Sequence, residues 1–326
     1  MAVYLVTGGA GFIGSHIATA LVARGDQARV LDDLSTGSTA NLAHLQVCGI
    51  GRGKPVELVR GDVGDAAVVE RALRGVRGVF HEAAQASVPR SFEDPERCYE
   101  VNVSGTLRLL EGMRRAGVER IVFAASSAAY GDSEELPKHE GLARRPLSPY
   151  ASSKVAAEDL LAVWGAAYGL HAVSLRYFNV FGPRQADDLP YTGVVAIFAR
   201  ALLEGRQPTI YGDGRQSRDF TFVDDVVQAN LAAMEAAPGV LAPGEVLNVG
   251  SGEQRNLLDL YRGIAQELGS ALEPRFGQAS TGDVRHSLAS IDKVRRLLGW
   301  APATAWREGL ARTLAWYRER RSAARA

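Results

Sequence analysis

Through the first half of the chain, short apolar runs alternate with stretches whose apolar residues recur at helical spacing. This is the pattern of a parallel sheet covered by helices on both faces. The runs at residues 3–7, 28–31, 56–60, 79–81, 121–125 and 172–176 predict strands, and the periodic segments 16–23 and 103–115 predict helices between them. Beyond Arg176 the texture changes to proline- and glycine-rich connections around shorter elements, which predicts a smaller α/β lobe. A late apolar run, Leu247-Asn248-Val249-Gly250, is expected to rejoin the first sheet. The expected division is thus 1–176 against 177–326, with a returning strand near 245–250 that makes the boundary discontinuous.

Composition narrows the classes of function. The 326 residues are 46% hydrophobic and 23% charged, enough for one large core and an appended lobe. A formal net charge of zero argues against a basic nucleic-acid surface or a polybasic membrane anchor. No apolar run approaches membrane-spanning length, and the chain enters its first strand without a leader-like segment, so a cytoplasmic protein is expected. Cys48 and Cys98 are too few for a disulfide framework, which fits a reducing compartment, and neither has metal-ligand spacing, so no metal is expected. The basic tail 318–326 is expected to fray.

Two motifs carry chemistry. Thr7-Gly8-Gly9-Ala10-Gly11-Phe12-Ile13-Gly14-Ser15 follows a predicted strand and opens a predicted helix, so its backbone can approach a pyrophosphate at the positive helix end. The next strand ends in Leu31-Asp32-Asp33-Leu34, near the separation at which an acid hydrogen-bonds the adenosine ribose. Asp32 there disfavours a 2′-phosphate and so favours NAD over NADP, while Asp33 reads equally well as a solvated turn residue. Gly61-Asp62-Val63 is placed to line the adenine, and Ala83-Ala84 is small enough for the chain to pass beneath the cofactor. This is the signature of a Rossmann doubly wound sheet.

The second motif is Tyr150-Ala151-Ser152-Ser153-Lys154, helical after Pro149, so Tyr150 and Lys154 share one face. An ammonium beside a phenol is expected to stabilise its anion and bring it toward working pH, making Tyr150 a general base. The chain holds only four lysines, Lys54, Lys138, Lys154 and Lys293, among 37 basic residues, so a lysine at this spacing is notable. His16, His81 and His286 are read as packed or surface residues.

With both motifs in place, the chain resembles the extended short-chain dehydrogenase/reductase family, and within it the nucleotide-sugar 4-epimerases. Carrying the resemblance further are Val101-Asn102-Val103, Ala125-Ser126-Ser127-Ala128-Ala129-Tyr130-Gly131-Asp132, Leu175-Arg176-Tyr177-Phe178-Asn179-Val180-Phe181-Gly182, Arg218-Asp219-Phe220 and Gly282-Asp283-Val284-Arg285-His286-Ser287. It implies a resident NAD and oxidation at C4 of a UDP-hexose. Tyr150 takes the hydroxyl proton, Ser126 relays it, and the 4-keto sugar turns before hydride returns to its other face. Asn102 and Tyr177 are implied on the cofactor, Tyr177 near the nicotinamide. Implied on the substrate are Ser87, Ser127, Asn179, Val194, Arg218, Asp283, Arg285 and Ser287, with Asn179 and Arg218 toward the diphosphate. The predicted helices over 104–115 and 152–164 are implied to form a homodimer contact, although their apolar faces read equally well as core.

The resemblance also bears on reaction and substrate. Dehydratases place an acidic pair after Ser126, and decarboxylating relatives keep a glutamate there; this chain has Ser127 and Ala128. Elimination therefore lacks an obvious acid and base, whereas epimerisation needs neither. Ser287 stands where a tyrosine in related epimerases restricts the pocket, so UDP-GlcNAc and UDP-GalNAc are expected, with UDP-glucose or UDP-glucuronate as alternatives. Ala128 departs from the serine of the acetyl-preferring subgroup. Ser280 stands where relatives often carry an arginine for the diphosphate, so either Arg285 or Arg275 takes its place or the nucleotide grip is weaker.

Overall fold

The computed structural model describes residues 1–187, 192–278 and 284–325. In chain order the strands are β1 (Val3–Thr7), β2 (Gln27–Asp32), β3 (Val47–Cys48), β4 (Val56–Arg60), β5 (Gly78–His81), β6 (Arg120–Ser126), β7 (His171–Tyr177), β8 (Asn179–Phe181), β9 (Thr209–Tyr211), β10 (Ser217–Phe222), β11 (Glu245–Val249), β12 (Gln254–Asn256) and β13 (Arg275–Gly277). The helices are α1 (Phe12–Ala23), α2 (Ala66–Leu73), α3 (Val88–Glu93), α4 (Pro95–Tyr99), α5 (Gly105–Ala116), α6 (Pro149–Tyr168), α7 (Val194–Leu203), α8 (Val223–Glu235), α9 (Leu257–Leu268), α10 (Asp292–Leu298) and α11 (Trp306–Arg325).

Eight strands form one parallel sheet in the order β11-β7-β6-β5-β1-β2-β4-β3. Successive strand residues feed opposite faces, which is why these strands read as continuous apolar runs. Leu5, Leu31, Val79 and Ile121 pack with Leu109, Met113, Ala157 and Leu161 from α5 and α6. Their neighbours Val6, Val30, Phe80 and Val122 pack with Ile17 and Leu21 of α1 and with Val226 and Ala229 of α8. The late run at 247–250 does pair with β7. In addition α8 and α10, which the sequence pattern left in the smaller lobe, pack on the large sheet, so the chain returns there first through α8 and β11 and again through α10.

The second core joins Phe181 and Phe222 of β8 and β10 to Phe198, Leu260, Ile264, Leu310 and Leu314 of α7, α9 and α11. Its strands form a three-stranded sheet, β12-β10-β8, and a two-stranded one, β13-β9. The basic tail does not fray at its start: α11 runs through it, with Arg320 bonded to Asp187 at 2.6 Å and Arg321 to Glu204 at 2.7 Å. The predicted helix over 103–115 is present but begins earlier, because α4, a π-turn at Glu100–Ser104 and α5 follow one another without a break.

A buried ion pair fixes the helix that matters most. Arg176 of β7 meets the Glu158 carboxylate with two bonds of 2.8 and 2.7 Å, both side chains almost fully enclosed. Bidentate geometry of this kind locks α6 against β7 in one register. The same two elements carry Tyr150, Lys154 and Tyr177.

Candidate active site

β1 pairs with β2 on one side and β5 on the other, so the connections diverge and a crevice opens at the carboxyl ends of the strands. The strands deliver functional groups to this edge in turn. Gly8 follows β1, Asp32 ends β2, Asp62 follows β4, Glu82 follows β5, and Ser126 and Tyr177 end β6 and β7.

One half of the crevice is a cradle. Gly8 has φ of +66°, and a Cβ there would lie 2.7 Å from the Ala83 backbone nitrogen. Only glycine lets β1 turn this close to the chain leaving β5. Gly11 donates its N–H to the Gly8 carbonyl at 3.0 Å, and Gly11, Phe12, Ile13 and Gly14 line the cleft at the start of α1. The buried Asp32 carboxylate accepts from Ala10 N–H at 2.9 Å and Leu34 N–H at 2.8 Å, so part of its capacity shapes the turn. Asp33 is exposed and accepts from Ser35, as its solvated-turn reading expected, yet it also borders the cleft.

Asp62, Val63, Ala83 and Ala84 line the same cleft, with Asp62 paired to Arg97 at 2.8 Å. Gln85 lines it too, and its buried Oε1 has no hydrogen-bond partner among the described residues. A glycine cradle, an acid at the second strand end and an orphaned amide oxygen fit a dinucleotide. Asn102, expected on the cofactor, is instead buried behind the cleft. It accepts from Gln85 N–H at 2.8 Å and donates to Ser153 Oγ at 2.9 Å, tying the segment after β5 to α6. A neighbouring cavity lined by His16, His44, Arg184 and Trp316 holds neither Tyr150 nor Lys154.

The other half holds the proton chemistry. Ser148 caps α6 by accepting from Ala151 N–H at 3.1 Å, and Pro149 starts the helix, which puts Tyr150 in its first turn. The Ser126 hydroxyl lies close enough to Tyr150 to pull its pKa down, and Lys154 Nζ donates to the Ala124 carbonyl at 2.7 Å and sits 4.7 Å from the Phe123 ring centre. The sequence expectation for Tyr150 is corrected here. Burial raises its pKa, Ser126 partly offsets this, and Cys98 and Glu82 add to the rise. The lysine faces Ala124 and Phe123 and is itself lowered to about 8, chiefly by burial.

Several residues proposed for substrate meet around β10. Asn179 pairs with Phe220 in the ladder, and Ser287 N–H donates to the Ser217 carbonyl at 3.1 Å, one residue from Arg218. Arg218 is half-buried and donates to the Ser217 carbonyl at 2.8 Å. Val194 opens α7 and packs on the small core, Ser87 caps α3, and Ser127 begins a 3-10 turn after Ser126. Asp283 and Ser280 lie outside the described residues. The two residues proposed to substitute for a basic residue at 280 have partners of their own. Arg285 binds Asp213 at 2.8 Å, and Arg275 binds Gln207 at 2.8 Å, all at the surface.

The histidines follow their ordinary readings. His81 is enclosed between Thr7 and Thr106, its pKa lowered to about 3 by burial, and His16 bonds the Pro183 carbonyl at 2.9 Å. Sequence reasoning missed three residues. Asp219 is a buried strut accepting from Ser251, Gly252 and Ala289, and Glu82 and Asn230 both hold the Tyr177 hydroxyl. An acid directly after a buried strand was the available signal for Glu82.

The chain belongs to the NAD dependent epimerase/dehydratase family, whose model matches residues 4–250. It is an NAD-dependent enzyme of the epimerase type with the Rossmann architecture. It is 40% identical over 318 residues to the UDP-glucose 4-epimerase of Mycolicibacterium smegmatis, covering 97% of this chain and 98% of that protein. Among solved structures it is similar to a UDP-N-acetylglucosamine 4-epimerase from Methanobrevibacter ruminantium in complex with UDP-N-acetylmuramic acid, with TM-score 0.90 and 35% identity over 98% of this chain and 99% of that one. It is also similar to the Thermus thermophilus UDP-glucose 4-epimerase in complex with NAD, with TM-score 0.86 and 42% identity over 97% and 99% of the chains. Among the described residues no helix is long and apolar enough to cross a membrane, and no group of side chains could hold a metal.

Proposed function

We propose that this chain interconverts the C4 epimers of a UDP-hexose, with UDP-GlcNAc and UDP-GalNAc as the preferred pair. The observation that carries this reading is Tyr150 on α6, close enough to Ser126 for that hydroxyl to pull its pKa down, beside a dinucleotide cleft and with no carboxyl at Ser127 or Ala128. Gly8, Gly11, Asp32 and Ala83 would hold NAD, which would supply a reversible hydride acceptor. Tyr150 takes the C4 hydroxyl proton, assisted by Ser126, and gives it back to the C4 oxygen once the ketone has turned and its other face has been reduced. Lys154 holds its charge beneath that site. Arg218 and Asn179, on adjacent strands, are placed to meet the diphosphate between the lobes.

Ser287 favours the acetylated sugars because it is small where bulk would close the pocket. UDP-glucose is the second reading, favoured by the relatives in Mycolicibacterium smegmatis and Thermus thermophilus. Steady-state rates with UDP-GlcNAc, UDP-glucose and UDP-glucuronate separate them. A higher kcat/KM for UDP-GlcNAc supports the Ser287 argument, and a preference for either other sugar overturns it.

A homodimer is part of this proposal. α5 and α6 pack on the large sheet yet leave Leu107, Val163 and Tyr168 exposed, which supports a shared helical face. Sedimentation at micromolar concentration is expected to give the mass of two chains; a single-chain mass contradicts it.

A further inference from the structure

Glu82 is an acidic residue of the cleft that stands beside Ala83, Ala84 and Gln85, apart from Asp32, Asp33 and Asp62 at the ends of β2 and β4. It follows β5 directly and lines the cleft. The Tyr177 hydroxyl donates to Glu82 Oε1 at 2.8 Å, while Asn230 Nδ2 donates to the Tyr177 oxygen at 2.7 Å. Asn230 Nδ2 also donates to the Val226 carbonyl at 2.9 Å, so the chain of donors runs from α8 through Tyr177 and ends on the carboxylate. An oriented chain of this kind favours an acceptor that carries charge. The titratable groups coupled to Glu82 are Lys154 and Tyr150 of α6 and Tyr177 of β7.

Resting on the NAD-dependent reading of the site, we propose that Glu82 is the counter-charge that sets the redox state of the resident cofactor. The oxidised nicotinamide is a cation and the reduced ring is neutral. A carboxylate close to it therefore favours the oxidised form by charge attraction, in a region where screening by water is weak. An epimerase needs this bias, because a turnover begins with oxidised cofactor and stalls if the reduced form accumulates after a ketone escapes. Tyr177 and Asn230 act through Glu82 as positioning residues, holding the carboxylate in place.

Burial raises the Glu82 carboxyl to about 7, while the Tyr177 hydroxyl and Lys154 pull it down. The anion is present above that pKa, so the preference for oxidised cofactor is complete at alkaline pH and fades as the carboxyl takes a proton.

The test equilibrates holoenzyme with mixtures of free oxidised and reduced NAD, removes unbound cofactor rapidly and reads the bound fraction by reduced-nicotinamide fluorescence. Glu82→Gln keeps an acceptor for Tyr177 and removes the charge. It is expected to raise the bound reduced-to-oxidised ratio about tenfold or more at alkaline pH, a shift of about 30 mV per tenfold for this two-electron couple. The two proteins are expected to converge at acid pH. Tyr177→Phe removes one stabilising donor and is expected to move that convergence to higher pH. Identical ratios for wild type and Glu82→Gln at every pH overturn the inference alone. A wild-type protein that retains no NAD overturns the cofactor reading, and this inference with it.

Discussion

Replacing Tyr150 with phenylalanine is expected to lower turnover by about 10²–10⁴-fold while NAD stays bound and the fold is unchanged. The ring of residue 150 keeps its place on α6, because the helix start is set by Ser148 and Pro149 and its seat on the sheet by the Glu158–Arg176 pair. Only the hydroxyl that faces Ser126 is lost. Serine alone is too weak a base to take a sugar hydroxyl proton at neutral pH. Because burial raises the Tyr150 pKa, wild-type activity is expected to climb on the alkaline side as the phenolate forms, and the variant is expected to lose that climb. The measurement is kcat against pH for both proteins, with bound NAD quantified after denaturation. Activity within threefold of wild type, or parallel pH profiles, contradicts the role assigned to Tyr150.

The second large effect is expected from Gly8→Ala, which should empty the cofactor site. Two separate penalties fall on this position. A residue with φ of +66° is strained once it has a side chain, at about 1–3 kcal/mol. The new Cβ also meets backbone atoms, Ala83 N at 2.7 Å and Ala83 Cα at 2.9 Å, which cannot rotate away. The turn after β1 and the segment after β5 must then part, and these are the two walls of the cradle. Gly25→Ala separates the penalties, because Gly25 has φ of +87° with nothing within 4 Å of its Cβ position. It is expected to lower the melting temperature modestly and keep its NAD, whereas Gly8→Ala is expected to melt lower and be purified without cofactor. If both variants retain NAD equally, the close approach of Gly8 and Ala83 is not what forms the site.

Much of this architecture is legible in the sequence for a physical reason. Strands buried on both faces have to be apolar throughout, and the six central ones stand out as runs. The glycine turn and the Tyr150–Lys154 pair are local devices, so spacing alone places them. What escaped detection depends on distant parts of the chain. β3 is two partly exposed residues, and β8, β9, β12 and β13 are three each, too short for a period to show. α8 gives no local sign that its apolar face covers α1 rather than the smaller lobe.

The site shows the same divide. The pKa of Tyr150 could not be read from its separation from Lys154, because burial raises it and Ser126, Cys98 and Glu82, all distant in sequence, act on it too. Asn102 belongs to a motif but works from behind the cleft, through Gln85 and Ser153. Glu82 is separated by 95 residues from Tyr177, the residue that reveals its use.

The most direct test of C4 chemistry by a retained hydride is proton NMR of the purified enzyme acting on UDP-GlcNAc in D₂O with no added NAD. The account predicts that UDP-GalNAc appears with protium still at C4, because the hydrogen leaves and returns as hydride without meeting solvent. Deuterium at C4 would contradict it, since epimerisation would then proceed by proton abstraction and the Tyr150, Ser126 and NAD assignments would lose their basis.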